Sequence, residues 1–132
     1  MNPELSPELS LEAWLVFTFY TLALLGMWWL KAKVAIDRSK PTDPDPWTSK
    51  DKLWHFSASA SLQVVTSTLV GLDPWVAVPL NLYAGVGFEV VQGFPREGQG
   101  YMSFKDIVWD VAGIAAGAWL VSLGRDIFGG GV

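Results

Sequence analysis

With 132 residues, of which 51% are hydrophobic, and a net charge of −4, the chain has room for one core, and its acidic balance argues against a nucleic-acid partner, which needs a basic stripe. The absence of cysteine excludes disulfides and thiolate metal sites. The eight tryptophans are a heavy load, and indole rings concentrate where one edge is apolar and the other wet, as at a membrane surface. Trp28, Trp29, Trp47, Trp54, Trp75 and Trp109 all flank apolar runs; a Trp-rich soluble core is the alternative.

In chain order, residues 1–12 form an acidic tail with two Pro, three Glu and no Lys or Arg. A secretory signal needs a positive region before its apolar stretch, so the next segment reads as a retained anchor. That anchor, residues 13–30, is 18 residues without a charge, which at about 1.5 Å per residue covers roughly 27 Å, close to a bilayer core. Residues 31–50 are charged and hold Pro41, Pro44 and Pro46, a density that forbids a continuous helix and marks a linker. Three weaker apolar runs follow, at 55–72, 74–94 and 104–123, each about long enough to span. A Gly-rich tail takes residues 124–132.

The expected fold is therefore all-α, a small multi-pass bundle most simply of four transmembrane helices, with residues 51–123 as its helical membrane domain. The competitor is one N-terminal anchor carrying a surface-bound helical domain. Placing Lys31, Lys33, Arg38, Lys40, Lys50, Lys52, Arg96 and Lys105 in the cytoplasm leaves only Arg125 outside, as the positive-inside rule asks. Both termini then lie outside, in what reads as a bacterial inner membrane.

The runs contain polar groups that lipid does not tolerate bare: Gln63, Asn81, Glu89, Gln92, Asp106 and Asp110. In the bundle, Asp51, Lys52 and His55 open the second helix, Glu89 and Gln92 close the third, Arg96 follows, and Asp106 and Asp110 open the fourth. All fall at one membrane surface and could converge. One reading is chemical, with His55, Glu89, Asp106 and Asp110 as proton carriers, or with His55, Glu89 and Asp110 binding a divalent metal. The other is structural, the basic groups neutralising the acids while their hydrogen bonds pin the helices; this is preferred, since no HExxH, phosphate loop or Ser/His/Asp order is present. No cofactor is predicted. Gly113 and Gly117, four apart, permit close helix approach in a membrane.

Residues 48–55 and 103–110 both read [Thr/Ser]-x-Lys-Asp-x-x-Trp-[His/Asp]. Thr48 with Asp51 and Ser103 with Asp106 have capping-box spacing, so convergence on good helix starts explains the match better than duplication. Either way both segments start helices on the same side.

At these residues the chain resembles the YfiM-like lipoprotein family and, more loosely, the VanZ-like membrane family. The resemblance runs through Asp51-Lys52-x-x-His55-Phe56-x-x-Ser59-Ala60, through Arg96-Glu97-Gly98-Gln99-Gly100, and through Ser103-x-Lys105-Asp106-x-x-Trp109-Asp110-Val111-Ala112-Gly113, about residues 51–118; Glu89, Gln92 and Arg96 are the VanZ-like part. VanZ-like proteins are associated with low-level glycopeptide resistance, and YfiM-like proteins belong to the cell envelope. The chain departs from the lipoproteins in lacking a lipobox Cys, and a periplasmic domain, as in a lipoprotein, would reverse the orientation argued from charge.

Two functions follow as expectations. The first is a non-catalytic accessory subunit of a larger membrane complex, of photosynthetic, respiratory or transport type, in contact with lipid and neighbouring subunits. The second is an envelope enzyme or resistance factor acting on a lipid-linked or cell-wall precursor. A proton or ion path through the carboxylates ranks third.

Overall fold

The computed structural model describes residues 9–33, 47–48, 50–93 and 104–129. Residues 1–8, 34–46, 49, 94–103 and 130–132, among them the Pro-rich part of the linker and the loop with Arg96 and Glu97, lie outside the described residues. Four helices form an all-α bundle: α1 (Leu11–Lys33), α2 (Lys50–Thr68), α3 (Pro74–Gly93) and α4 (Phe104–Phe128).

Local chemistry sets the ends. Ser10 Oγ accepts the Ala13 N–H at 3.3 Å, and Asp73 Oδ1 accepts the Trp75 N–H at 2.9 Å, with Pro74 at the first helical position, where its missing N–H costs nothing. Gly71, at φ 80°, turns the chain after α2 and lets the Leu72 N–H reach back to the Thr66 carbonyl at 3.0 Å. This turn ends α2 at Thr68, short of the Leu72 that closes the apolar run, while the polar first turn expected from Asp51 and Lys52 carries the helix back to Lys50, ahead of the run's start at His55. The start at Lys50 leaves Thr48 one position outside the cap. Helix α4 continues to Phe128, past the expected residue 123, because Gly124 interrupts neither its hydrogen bonding nor its apolar face.

The contacts fix the directions. Lys52 meets Asp106, His55 meets Asp110 and Ala60 meets Gly117, so α2 and α4 run parallel. Asn81 meets Gln63 and Glu89 meets His55, so α3 runs against them. Tyr20 meets Asn81 and Leu24 meets Gly87, so α1 is parallel to α3. Alternation of direction along the chain is what four successive crossings require.

Helices α2 and α4 form the closest pair. A Cβ on Gly117 would stand 2.6 Å from the Ala60 carbonyl oxygen, and one on Gly113 would run into the Phe56 carbonyl, so both glycines let backbones touch. Helix α1 packs against α3 alone, burying Ala13 against Leu72 and Ala77. Its Trp14, Leu15, Phe19, Leu22, Leu25 and Trp29 are exposed.

Residues 11–30, 74–92 and 104–128 are long and apolar enough to cross a membrane; α2 is long enough and not apolar enough. Its buried side chains are Lys52, Gln63, Thr66 and Ser67, a polar stripe on its inner face. By helix direction, Trp28, Trp29, Trp47, Trp54 and Trp109 fall at one end of the bundle and Trp14, Trp75 and Trp119 toward the other, the two-belt pattern of a membrane-spanning protein.

Candidate functional site

On α2, Lys52, His55 and Ser59 follow at helical spacing and share one face; on α4, Asp106 and Asp110 do the same. Because these helices are parallel and glycine-close, the two faces meet turn for turn. The antiparallel α3 brings Glu89 in from its last turns. The Lys52 ammonium pairs with Asp106 Oδ1 and donates to Asp51 Oδ2 at 3.1 Å. His55 Nδ1 lies 2.9 Å from Asp110 Oδ1, and the Ser59 hydroxyl donates to the same oxygen at 2.8 Å. His55 Nε2 faces Asp106 Oδ2 at 3.4 Å and Glu89 Oε1 at 3.6 Å.

Lys52 is 1% exposed and Glu89 0%. Burying either ion alone costs several kcal/mol, which only close opposite charge and hydrogen bonds offset. Since a carboxylate oxygen can only accept, the Nδ1 facing Asp110 carries the proton, and Asp110 sets both the tautomer and the ring angle. Nε2 in turn faces two more acceptors, the Asp106 and Glu89 carboxylates, so both ring nitrogens of this carboxylate-oriented imidazole point at carboxylate oxygens. His55, Glu89 and Asp110 each offer one ligand atom within 4.8 Å of the others, so the same three could hold a divalent cation.

Helix α2 stays close to α4 while standing further from α3, which leaves a cavity of about 390 Å³ between α2 and α3, within the roughly 300–1,000 Å³ usual for small-ligand sites. Trp54, Ala58 and Leu62 form one wall, Ala84 and Phe88 the other, with Asp110 reaching in from α4. Trp54 is 75% exposed, so the cavity is open to the outside of the bundle beside it. Gly85 lets the Asp110 carboxylate pack against the α3 backbone: a Cβ there would stand 2.9 Å from Asp110 Oδ2.

Of the residues singled out in the sequence, Lys52, His55, Glu89, Asp106 and Asp110 come together. Asp51 is at the edge, more than half exposed, Gln92 is half-buried one turn beyond Glu89, and Arg96 lies outside the described residues. Gly113 and Gly117 lie at the α2–α4 contact. Sequence reasoning missed Ser59 and Gly85 as parts of the site, although Ser59 is seven residues from Lys52 on the same face.

It also missed a second polar network, deeper in the bundle. The Tyr20 hydroxyl donates to Asn81 Oδ1 at 2.6 Å, and Asn81 Nδ2 donates to Gln63 Oε1 at 2.7 Å and to Thr66 Oγ1 at 3.0 Å. Gln63 Nε2 donates to Ser67 at 3.3 Å. Gln63 and Asn81 had stood out as polar residues in apolar runs, and pairing them with each other was the available inference. The linker end is tied down as well: Trp109 Nε1 donates to the Trp47 carbonyl at 2.8 Å, and Lys105 lies over the Trp47 ring at 5.3 Å.

Fold and site together define a small multi-pass helical membrane protein with a largely buried His–carboxylate cluster beside an open groove. In comparisons with protein-family models, curated proteins and solved structures, nothing matches the chain.

Proposed function

We propose that the chain is an envelope protein of the bacterial inner membrane that acts on a membrane-resident substrate, with His55 as general base and acid and Asp110 as the residue that orients it. The observation carrying this reading is the 2.9 Å His55–Asp110 pair at the wall of the α2–α3 groove, which is also why it ranks above an accessory subunit. A purely structural network gains nothing from a cavity at its edge. The looser VanZ-like resemblance, carried by Glu89, Gln92 and Arg96, supports the same reading, with a lipid-linked or cell-wall precursor as the substrate. Asp110→Asn keeps the shape of the site but changes what faces Nδ1, and His55→Gln removes the base. In purified protein assayed on lipid-linked precursors, both variants should extract and fold like the parent and lose turnover. If both keep turnover while retaining the fold, the acid–base reading fails.

The second reading, a non-catalytic subunit of a larger complex of photosynthetic, respiratory or transport type, is favoured by α1, which covers α3 with one face and leaves the rest of its apolar surface bare. Gentle extraction from native membranes with mass spectrometry of co-migrating chains tests it: stoichiometric partners support a subunit, and migration alone or as a small homo-oligomer removes it.

A further inference from the structure

We infer that the groove between α2 and α3 holds one hydrocarbon chain of a membrane lipid, drawn from the leaflet at the end of the bundle where α2 begins, with the chain's tip toward Leu62 and its head beyond Trp54. This rests on the groove being the substrate site proposed above, and goes further in naming the part of the substrate that fills it and the leaflet that supplies it.

Depth decides the occupant. The α3 wall of the groove runs from Asn81 to Phe88, and α3 is apolar enough to span from Pro74 to Gln92, so this wall reaches from the middle of the span to one turn short of its end. The α2 wall, from Trp54 to Leu62, covers roughly 12 Å at helical rise, against about 15 Å for half of a hydrocarbon core of about 30 Å. The groove is thus one leaflet deep, and a mouth at that depth meets hydrocarbon chains. A mostly apolar cavity of about 390 Å³ is poor at holding water, and left empty it would forfeit dispersion contacts along both walls. Lipid is as apolar as the groove, so what favours a chain inside over one in the bulk bilayer is close packing against two helices at once.

The lining gives the chain its direction. Leu62 and Ala84 end the groove at its deep side, beside Asn81, whose amide is already engaged with Tyr20, Gln63 and Thr66. The other polar groups of the lining, His55, Ser59 and Asp110, lie nearer the end where α2 begins, and the exposed Trp54 stands there too, at the level where indole rings mark a membrane surface. A chain with its tip at Leu62 therefore brings its head to the Trp54 end, and the linkage between head and chain passes the His55–Asp110 pair.

The test uses the full-length protein in phosphatidylcholine vesicles with a trace of phosphatidylcholine carrying a photoactivatable diazirine on one acyl chain, near the ester in one probe and near the chain end in the other. Crosslinks are mapped by mass spectrometry. The chain-end probe should label around Leu62 and Ala84, and the ester-end probe around Trp54 and Phe88. Ala58→Phe, which fills the groove from an exposed position on α2, should cut labelling of the α3 wall by roughly tenfold, a ratio equivalent to about 1.4 kcal/mol. Val111→Phe, exposed on α4 and outside the groove lining, should leave it unchanged. The reverse order of depths overturns the assigned leaflet. Labelling spread evenly over the exposed faces of α1, α3 and α4, with Ala58→Phe without effect, overturns the bound chain, as does absence of groove labelling by both probes. None of these readouts needs turnover, so a labelled groove in a protein inactive on lipid-linked precursors would remove the acid–base reading and leave the chain site standing.

Discussion

Lys52 and Asp106, 54 residues apart, lock the first turns of α2 and α4 together through a salt bridge in which the lysine is 1% exposed. Removing one partner leaves the other as a buried charge. Lys52→Met should therefore destabilise by about 3–5 kcal/mol, and the double variant Lys52→Met with Asp106→Leu by much less. Thermal unfolding in detergent of the two single variants and the double variant measures the coupling. Additive losses would show that the pair does not interact.

The α2–α4 contact depends on glycine. Gly117→Ala places a methyl 2.6 Å from the backbone oxygen of Ala60, which cannot rotate away, so overpacking should cost about 1–3 kcal/mol. Gly26→Ala, where an added Cβ meets nothing within 4 Å, is the matched control and should be neutral or slightly stabilising. Equal Tm values for the two variants would contradict the packing described.

Asn81 holds three helices through its amide. Asn81→Leu strands Gln63 and the Tyr20 hydroxyl, at about 1–3 kcal/mol for the buried groups left unsatisfied. Tyr20→Phe removes only the α1 bond, so it should loosen α1 and spare the rest. Limited proteolysis reads the difference: earlier cleavage around α1 in Tyr20→Phe, with the α2–α4 fragment intact.

Because the chain has no native cysteine, single substitutions can be labelled without background. If the orientation argued from charge holds, cysteines at positions 2 and 131 should react with an impermeant maleimide in intact cells, and one at position 43 only after permeabilisation. The opposite pattern would put the His55 cluster on the outer face.

Stripping divalent ions distinguishes the two uses of His55, Glu89 and Asp110. Under acid–base chemistry without metal, chelation should leave both Tm and turnover unchanged. A fall in either that zinc or manganese restores would assign the three as ligands.

The spans were legible because lipid demands long apolar runs, and 13–30, 74–94 and 104–123 differ from the helices mainly at their ends. Helix α2 was the hardest: its apolar run was placed at 55–72, while Asp51 and Lys52 ahead of that run open the helix, which starts at Lys50. The convergence of His55, Glu89 and Asp110 was legible because helix direction alternates and each residue's distance from its helix end is set by number. The groove was not. It arises from the spacing of α2 and α3 over Asp110, which depends on Gly85, Ala58 and Ala84, and small residues announce closeness without saying where a gap remains. The Tyr20–Asn81 bond was equally hidden, since rotation of α1 about its axis leaves no mark in a run that is apolar all round.

The polar inner stripe of α2 has a consequence for how the protein is made. As α2 leaves the ribosome it meets lipid with Lys52, Gln63, Thr66 and Ser67 unsheltered, and the groups that satisfy them on α3 and α4 have yet to be synthesised. Helix α1 can enter the bilayer on its own and α2 cannot. It should wait at the surface or in the insertion machinery until α3 and α4, each apolar enough to cross, supply its partners, so a chain released before residue 104 is expected to carry an anchor without a bundle.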